Sequence, residues 1–233
     1  MCKETLAGKS CPVIRGAIFD MDGTLLDSMW IWEHYASQYI TSRGMPPAPD
    51  LDERLGTATL GEAAAYLCRT YRLPETAEET EADIARTVTL LYERVVPMPG
   101  VPEMLAALSA AGVRMAVATL TERGDAERVL ARLGLLDYFE GIFTCTEVGA
   151  PKTRPDVFEA ALAALGTRRG GTAVFEDAPY ALRTAQAAGF PTVAVAVGAR
   201  SAELCTAAGS FLTVNDYRKV PWRLYLPQKN AIS

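Results

Sequence analysis

Apolar and polar positions alternate between short apolar runs and longer stretches with helical spacing. The clearest run is Val13-Ile14-Arg15-Gly16-Ala17-Ile18-Phe19, which ends in a polar turn punctuated by glycine, Asp20-Met21-Asp22-Gly23-Thr24. Similar apolar runs recur at residues 113–118, 142–144, 172–175 and 191–197. Helical patterns lie between them. Residues 102–111 begin with Pro102, place Leu105 and Leu108 on one face and stop at Gly112, the proline-start and glycine-end signature of a helix. Residues 126–133, 155–165 and 178–188 behave alike, closed by Gly134, Gly166 and Gly189. Strands and helices alternating at this spacing predict βαβ units, hence an α/β fold with a parallel sheet and helices on both faces.

Residues 25–97 break the rhythm, because helical periodicity dominates and no convincing strand is found. Asp27-Ser28 is placed to cap a helix running through Trp30, Ile31, Tyr35 and Ile40, and further helices fit 60–71 and 77–95. The expected organisation is an α/β core of residues 1–24 and 98–233 with an inserted α-helical unit over 25–97. Charge supports the division: the insert holds 6 of the 23 Lys+Arg and 12 of the 28 Asp+Glu, so it carries −6 while the rest carries +1. The segment after Asn215 offers no pattern, and there is no internal repeat.

Composition narrows the chemistry. With 233 residues, 49% of them hydrophobic and 22% charged, the chain has globular composition and can bury a substantial core. No apolar run approaches the roughly 18 residues that span a bilayer. Residues 1–12 show no apolar stretch of the kind found in secretion signals, so a cytoplasmic protein is expected. Cys2, Cys11, Cys68, Cys145 and Cys205 are odd in number and scattered, which suits neither a disulfide framework nor a zinc site. A single histidine, His34, removes multi-imidazole metal sites and Ser-His triads. Net charge −5 with no basic stripe argues against nucleic acid as a partner. Metal or acid–base chemistry is left to carboxylates.

In open α/β sheets the ligand site lies at the carboxyl ends of the strands. The first strand delivers Asp20 and Asp22, the run at 113–118 delivers Thr119 with Thr121 close behind, the loop 145–155 delivers Lys152, and the run at 172–175 delivers Glu176-Asp177. These groups suit phosphoryl transfer, which needs an in-line nucleophile, positive charge on the equatorial oxygens and a proton for the leaving group. Asp20 can be the nucleophile through an aspartyl phosphate. Asp22 can protonate the leaving oxygen and then deprotonate water. Converging carboxylates and a phosphate repel one another without a hard cation, so Mg²⁺ held by Asp20, Asp177 and Glu176 is the expected cofactor. Lys152 and Thr119 complete a phosphate cradle. Thr119 can equally cap a helix near Glu122, and Glu176 either contacts metal through water or pairs with Lys152.

Ala17-Ile18-Phe19-Asp20-Met21-Asp22-Gly23-Thr24-Leu25-Leu26-Asp27-Ser28 resembles the first motif of the haloacid dehalogenase superfamily, in its β-phosphoglucomutase-like phosphatase branch. Val117-Ala118-Thr119, then Lys152 with Pro155-Asp156, then Val174-Phe175-Glu176-Asp177-Ala178 follow in the family's order, and Pro99-Gly100-Val101 is also similar. The resemblance covers residues 13–198. It implies a Rossmann-like core under a mobile helical cap hinged near 24–28 and 95–99. It also implies Asp20 as nucleophile, Asp22 as general acid/base, Thr119 and Lys152 as phosphate binders, and Mg²⁺ on Asp20, the backbone carbonyl of Asp22, and Asp177 with Glu176.

Departures from related activities are informative. Dehalogenases of the superfamily lack the second aspartate, which is present here as Asp22. Phosphonoacetaldehyde hydrolases need a cap lysine, and residues 25–97 contain none. The cap histidine of β-phosphoglucomutases falls on Trp32 and the cap-loop arginine on Thr59, with His34 two residues away. Thr153 stands where the third motif usually has proline, and Ala181 where a glycine is common. The expected activity is therefore a phosphatase acting on a small phosphorylated metabolite, with a sugar phosphomutase or a catalytically silent phosphometabolite-binding protein as alternatives. A monomer without membrane partners is expected. Trp30, Trp32, Tyr35 and Tyr39 are expected in the cap core, Cys145 and Cys205 as small buried hydrophobes, and Arg54 and Thr57 around Gly56 either as a specificity loop or in helix packing.

Overall fold

The computed structural model describes residues 12–56, 58–196 and 209–227. Expectations for Cys2, Cys11, Thr57, Val197 and Cys205 lie outside those residues. The first strand, β1 (Gly16–Phe19), is buried throughout and followed by the short β2 (Leu26–Asp27). Five helices come next: α1 (Met29–Trp32), α2 (Tyr35–Ser42), α3 (Leu51–Leu55), α4 (Leu60–Tyr71) and α5 (Ala77–Tyr92). The chain then runs through β3 (Val96–Pro97), α6 (Val101–Ala110), β4 (Arg114–Thr119), α7 (Arg123–Arg132), β5 (Ile142–Thr144) and α8 (Cys145–Val148). It continues with α9 (Asp156–Leu165), β6 (Thr172–Glu176), α10 (Pro179–Ala187), β7 (Thr192–Val195) and β8 (Leu212–Val214).

The sheet is six-stranded and parallel, in the order β5-β4-β1-β6-β7-β8. β1 is central, so the ends of β4 and β6 flank its own. Phe19 and Phe175 stack across β1 and β6 with ring centroids 4.3 Å apart. On one face an apolar cluster runs from Phe19, Val117 and Phe175 into Ile31, Ile40, Leu67 and Val88 of the helical segment. A second cluster, including Ile18, Val174, Phe158 and Ala185, covers the other face. No helix among the described residues is long and apolar enough to cross a membrane.

The helical segment departs from its sequence pattern in an instructive way. The single helix expected from Asp27-Ser28 through Ile40 is two helices, broken at Glu33-His34. Asp52 of α3 explains the break: its Oδ1 accepts the backbone N–H groups of Ala36 and Ser37 at 3.0 and 3.1 Å, satisfying two donors in the first turn of a new helix start. Ser28 does not cap α1; its hydroxyl is used elsewhere, as described below. The helix expected over 77–95 ends at Tyr92, where Arg132 collects the carbonyls of Tyr92 and Val95 at 2.7 Å each. β2 and β3 form an antiparallel ladder of two residue pairs, Leu26 with Pro97 and Asp27 with Val96, at the two ends of the segment.

The stretch after Asn215, without pattern in the sequence, is built into the core. Tyr217, Trp222 and Tyr225 are buried, Trp222 lies 6.1 Å from Phe175, and the Tyr217 hydroxyl donates to the Thr24 carbonyl at 3.0 Å. Ile14 N–H bonds the Tyr225 carbonyl at 2.7 Å, tying this stretch to the approach of β1.

Candidate functional site

All six residues singled out in the sequence line one cleft at the carboxyl end of the sheet: Asp20, Asp22, Thr119, Lys152, Glu176 and Asp177. β1, β4 and β6 are neighbours, so Asp20 and Glu176 leave adjacent strand ends level with each other and Thr119 follows one residue further along β4. The turn after β1 brings Asp22 in as well. Leu25 and Leu26 both donate to the Met21 carbonyl at 2.9 Å, and Gly23 donates back to Leu26, closing a wide turn directly after Asp20. Gly23 sits at φ +81°, and a Cβ at this position would collide with the Asp177 carboxylate. Glycine is required there twice over, for conformation and for space.

Lys152, 2% exposed, is the positive centre. Its Nζ donates to Asp20 Oδ1 and, at 2.6 Å, to Glu176 Oε1. Glu176 is engaged through both oxygens, because Oε2 accepts the Ala178 backbone N–H at 2.9 Å. Glu176 therefore pairs with Lys152, one of the two roles open to it from sequence. Burial would lower the lysine, but Asp20 and Glu176 hold its ammonium well above the usual range. Burial raises the Asp20 carboxyl to about 7, with Glu176 and Asp22 adding to the rise and Lys152 opposing it. Burial, then Glu176 and Asp20, likewise raise Asp177 well above a normal carboxyl. When all four are ionised, three carboxylates face one ammonium, so two negative charges lack compensation.

That deficit is what a divalent cation would fill. One carboxylate oxygen from each of Asp20, Glu176 and Asp177 can lie within 4.8 Å of the others, and Asp20 Oδ2 is buried without a hydrogen-bond partner. A hard, all-oxygen donor set with an orphaned carboxylate oxygen fits Mg²⁺ or a similar ion.

Asp22 has a separate environment made of hydroxyls. Ser28 Oγ and Tyr92 Oη donate to its Oδ1 at 2.6 and 2.8 Å, and Thr121 Oγ1 donates to its Oδ2 at 2.7 Å. Tyr92 and Thr121 also bond each other at 3.0 Å. Burial, then Asp22, raises the Tyr92 phenol well above its usual range, so it stays protonated. Thr119, 1% exposed, accepts the Thr121 backbone N–H at 3.0 Å, while Glu122 occupies the cap position of α7. Sequence reasoning passed over Ser28 as a mere helix cap and did not find Tyr92. Signals were there for two of the three: Ser28 closes the first motif of the resemblance, and Thr121 stands two residues past Thr119.

The wall opposite the carboxylates comes from the helical segment: Met29, Trp32, Tyr35, Leu55, Ala58 and Leu60. Of the aromatics expected in the cap core, Tyr35 belongs to the buried cluster and Trp32 and Tyr39 pack against it, whereas Trp30 departs from the expectation. Trp32 and Tyr35 line the cleft and pack edge to face with centroids 5.6 Å apart, Trp30 is 41% exposed, and Tyr39 lies 4.9 Å beneath the Arg43 guanidinium. Leu55, Gly56 and Ala58 line the cleft, but Arg54 is exposed and paired with Asp50 at 2.5 Å. His34 is exposed and precedes α2. Cys145 is buried, and burial pushes its thiol up to about 11, which leaves it unreactive.

A parallel α/β sheet with two aspartates leaving its central strand, a lysine and a further acidic pair defines the site of a haloacid dehalogenase-like hydrolase. The pattern of that family matches residues 17–195, and the chain belongs to it. Among its relatives, "Probable phosphatase IndB" of Dickeya dadantii is 30% identical over 210 residues, spanning 87% of this chain and 90% of that protein. "Fructose-1-phosphate phosphatase YqaB" of Escherichia coli is 32% identical over 194 residues, spanning 77% and 95%. The fold matches the crystal structure of CbbY from Rhodobacter sphaeroides in complex with phosphate, with a TM-score of 0.76 at 22% identity, covering 89% of this chain and 96% of that one.

Proposed function

We propose that this hydrolase is a Mg²⁺-dependent phosphatase that cleaves a small phosphomonoester through an aspartyl phosphate on Asp20. The observation that carries the reading is the pairing, in one cleft, of a lysine-bound Asp20 with a second carboxylate, Asp22, held apart from it by its own set of hydroxyls. The phosphatase names of relatives at 30% and 32% identity support it. In the first half-reaction an ionised Asp20 oxygen attacks phosphorus, the ester P–O bond breaks, and protonated Asp22 gives its proton to the departing alcohol oxygen. In the second, Asp22 takes a proton from water as the water oxygen attacks phosphorus and the bond to Asp20 breaks, releasing inorganic phosphate and restoring both carboxyl groups. The net change adds one water across the ester.

The hydroxyls of Ser28, Tyr92 and Thr121 each donate or accept, so they can hold Asp22 in either protonation state. Lys152 keeps Asp20 oriented and lends positive charge beside the transferred group, and Thr119 adds a hydroxyl at the end of β4. Mg²⁺ would be held by Asp20, Asp177 and the Asp22 carbonyl, with Glu176 behind them, and supplies the positive charge that the carboxylates and phosphate require when they converge. Residues 25–97 act as a cap on the core of residues 1–24 and 98–233, hinged at 24–28 and 95–99, and its closure excludes water. The protein acts as a cytoplasmic monomer on a phosphorylated metabolite, with neither nucleic acid nor membrane as partner. Asp20→Asn is expected to reduce p-nitrophenyl phosphate turnover with Mg²⁺ to background while circular dichroism and melting temperature stay native. Retained turnover in this variant would overturn the mechanism.

A further inference from the structure

The leaving-group side of the cleft carries chemistry that the proposed reaction does not use. Its wall from the helical segment consists of Met29, Trp32, Tyr35, Leu55, Ala58 and Leu60, with no ionised side chain among the described residues. The wall residues Met29, Trp32, Leu55, Ala58 and Leu60 stand in sequence among residues 29–32 and 55–60, and neither run holds an ionisable residue. Cations are available to the segment but are spent elsewhere. Of its six arginines, Arg43 pairs with Glu75 and Asp83, Arg54 with Asp50, and Arg86 with Asp83, and none of the six lines the cleft. Among the described residues the single base in the cleft is Lys152, bound to Asp20 and Glu176 at the end where phosphate is transferred on the proposed reading.

We infer that the cleft takes phosphomonoesters of an uncharged, largely apolar alcohol. The inference rests on the phosphatase reading and names the substrate class of the same site. A leaving group with a second phosphate or a carboxylate would enter a wall without a counter-charge, on a segment whose own net charge is −6. A polyol would bring several hydroxyls to a wall whose polar side-chain groups, among the described residues, are the Tyr35 hydroxyl and the Trp32 indole N–H, the latter itself buried without a partner, leaving most of the hydroxyls unpaired on desolvation. An aryl or alkyl group instead buries against two edge-to-face aromatic rings and four aliphatic side chains, the lining that favours apolar ligands.

The test compares kcat/KM with Mg²⁺ for 2-phenylethyl phosphate, fructose 1-phosphate and phosphoglycolate, with p-nitrophenyl phosphate as the activity control. The first three are primary alkyl esters, so leaving-group reactivity does not decide the order. The expected result is a kcat/KM for 2-phenylethyl phosphate at least tenfold above both others, carried mainly by KM. In the Ala58→Lys variant the ratio of phosphoglycolate to 2-phenylethyl phosphate is expected to rise at least tenfold. Turnover of p-nitrophenyl phosphate with 2-phenylethyl phosphate no better than the other two overturns the substrate class alone. Turnover of none of the four overturns the phosphatase reading and the substrate class together.

Discussion

Gly23 concentrates two demands on one residue: a backbone at φ +81° and a surface that the Asp177 carboxylate touches. Gly23→Ala is expected to cost about 1–2 kcal/mol from the left-handed backbone alone, with a further loss from displacing Asp177. Activity should fall more than stability does, because the displaced group belongs to the acidic cluster. Thermal melts and kcat measured as a function of Mg²⁺ check this: an unchanged Mg²⁺ requirement would show that Asp177 tolerates the shift. At this scale the sequence was legible wherever a motif fixed the spacing. Asp20, Asp22, Thr119, Lys152, Glu176 and Asp177 all fall in one cleft because neighbouring ends of β1, β4 and β6 and the loop between α8 and α9 deliver them. Tyr92 was illegible for a physical reason. It reaches Asp22 across 70 positions of chain at the end of α5, where its spacing matches that of any buried residue on an amphipathic helix.

Among the elements, α4 and α5 start with reciprocal capping boxes, Thr59 with Glu62 and Thr76 with Glu79, each a pair of backbone and side-chain bonds that satisfies otherwise open donors. Thr76→Ala removes the bond from Glu79 N–H at 3.1 Å and is expected to destabilise the protein by about 1 kcal/mol. It lies away from the cleft, so kcat/KM should be unaltered at temperatures well below the melt. A loss of activity in proportion to stability would mean that the helical segment opens locally before the sheet does. The α4 boundaries read from periodicity match the structure, since its start and end are set within the segment itself. The break between α1 and α2 was not readable, because the group that makes it, Asp52, comes from a different helix. The buried stretch after Asn215 escaped for a related reason. Its elements beyond β8 are three-residue turns at Tyr217–Lys219 and Trp222–Leu224, too short to establish a period.

For the molecule as a whole, the uncompensated carboxylates link stability to pH and to cation. Asp20 titrates near 7 in the fold against 3.8 for an ordinary aspartate, so between those values the folded protein binds more protons than the unfolded chain. Stability from this group therefore falls as pH rises through that window, and Asp177 acts in the same direction. Lys152, raised above its usual value, stays charged throughout and does not change the slope. On the proposed reading, Mg²⁺ bound at this cluster would compete with those protons. The melting-temperature increase on adding Mg²⁺ to EDTA-treated protein is expected to be larger at pH 8.5 than at pH 6, approaching a stabilisation of about 2.7 kcal/mol at a hundred times Kd. Equal increases at both pH values would show that the carboxylates are already ionised without metal. The two-pair ladder of β2 and β3 has a different consequence. Leu26 and Pro97 are partners across it, so the chain departs from the sheet and returns to it at one point. Anything spliced between those residues leaves the sheet's strand order untouched. Descent with exchange of that segment thus renews the helical wall of the cleft while Asp20 and its lysine are inherited intact.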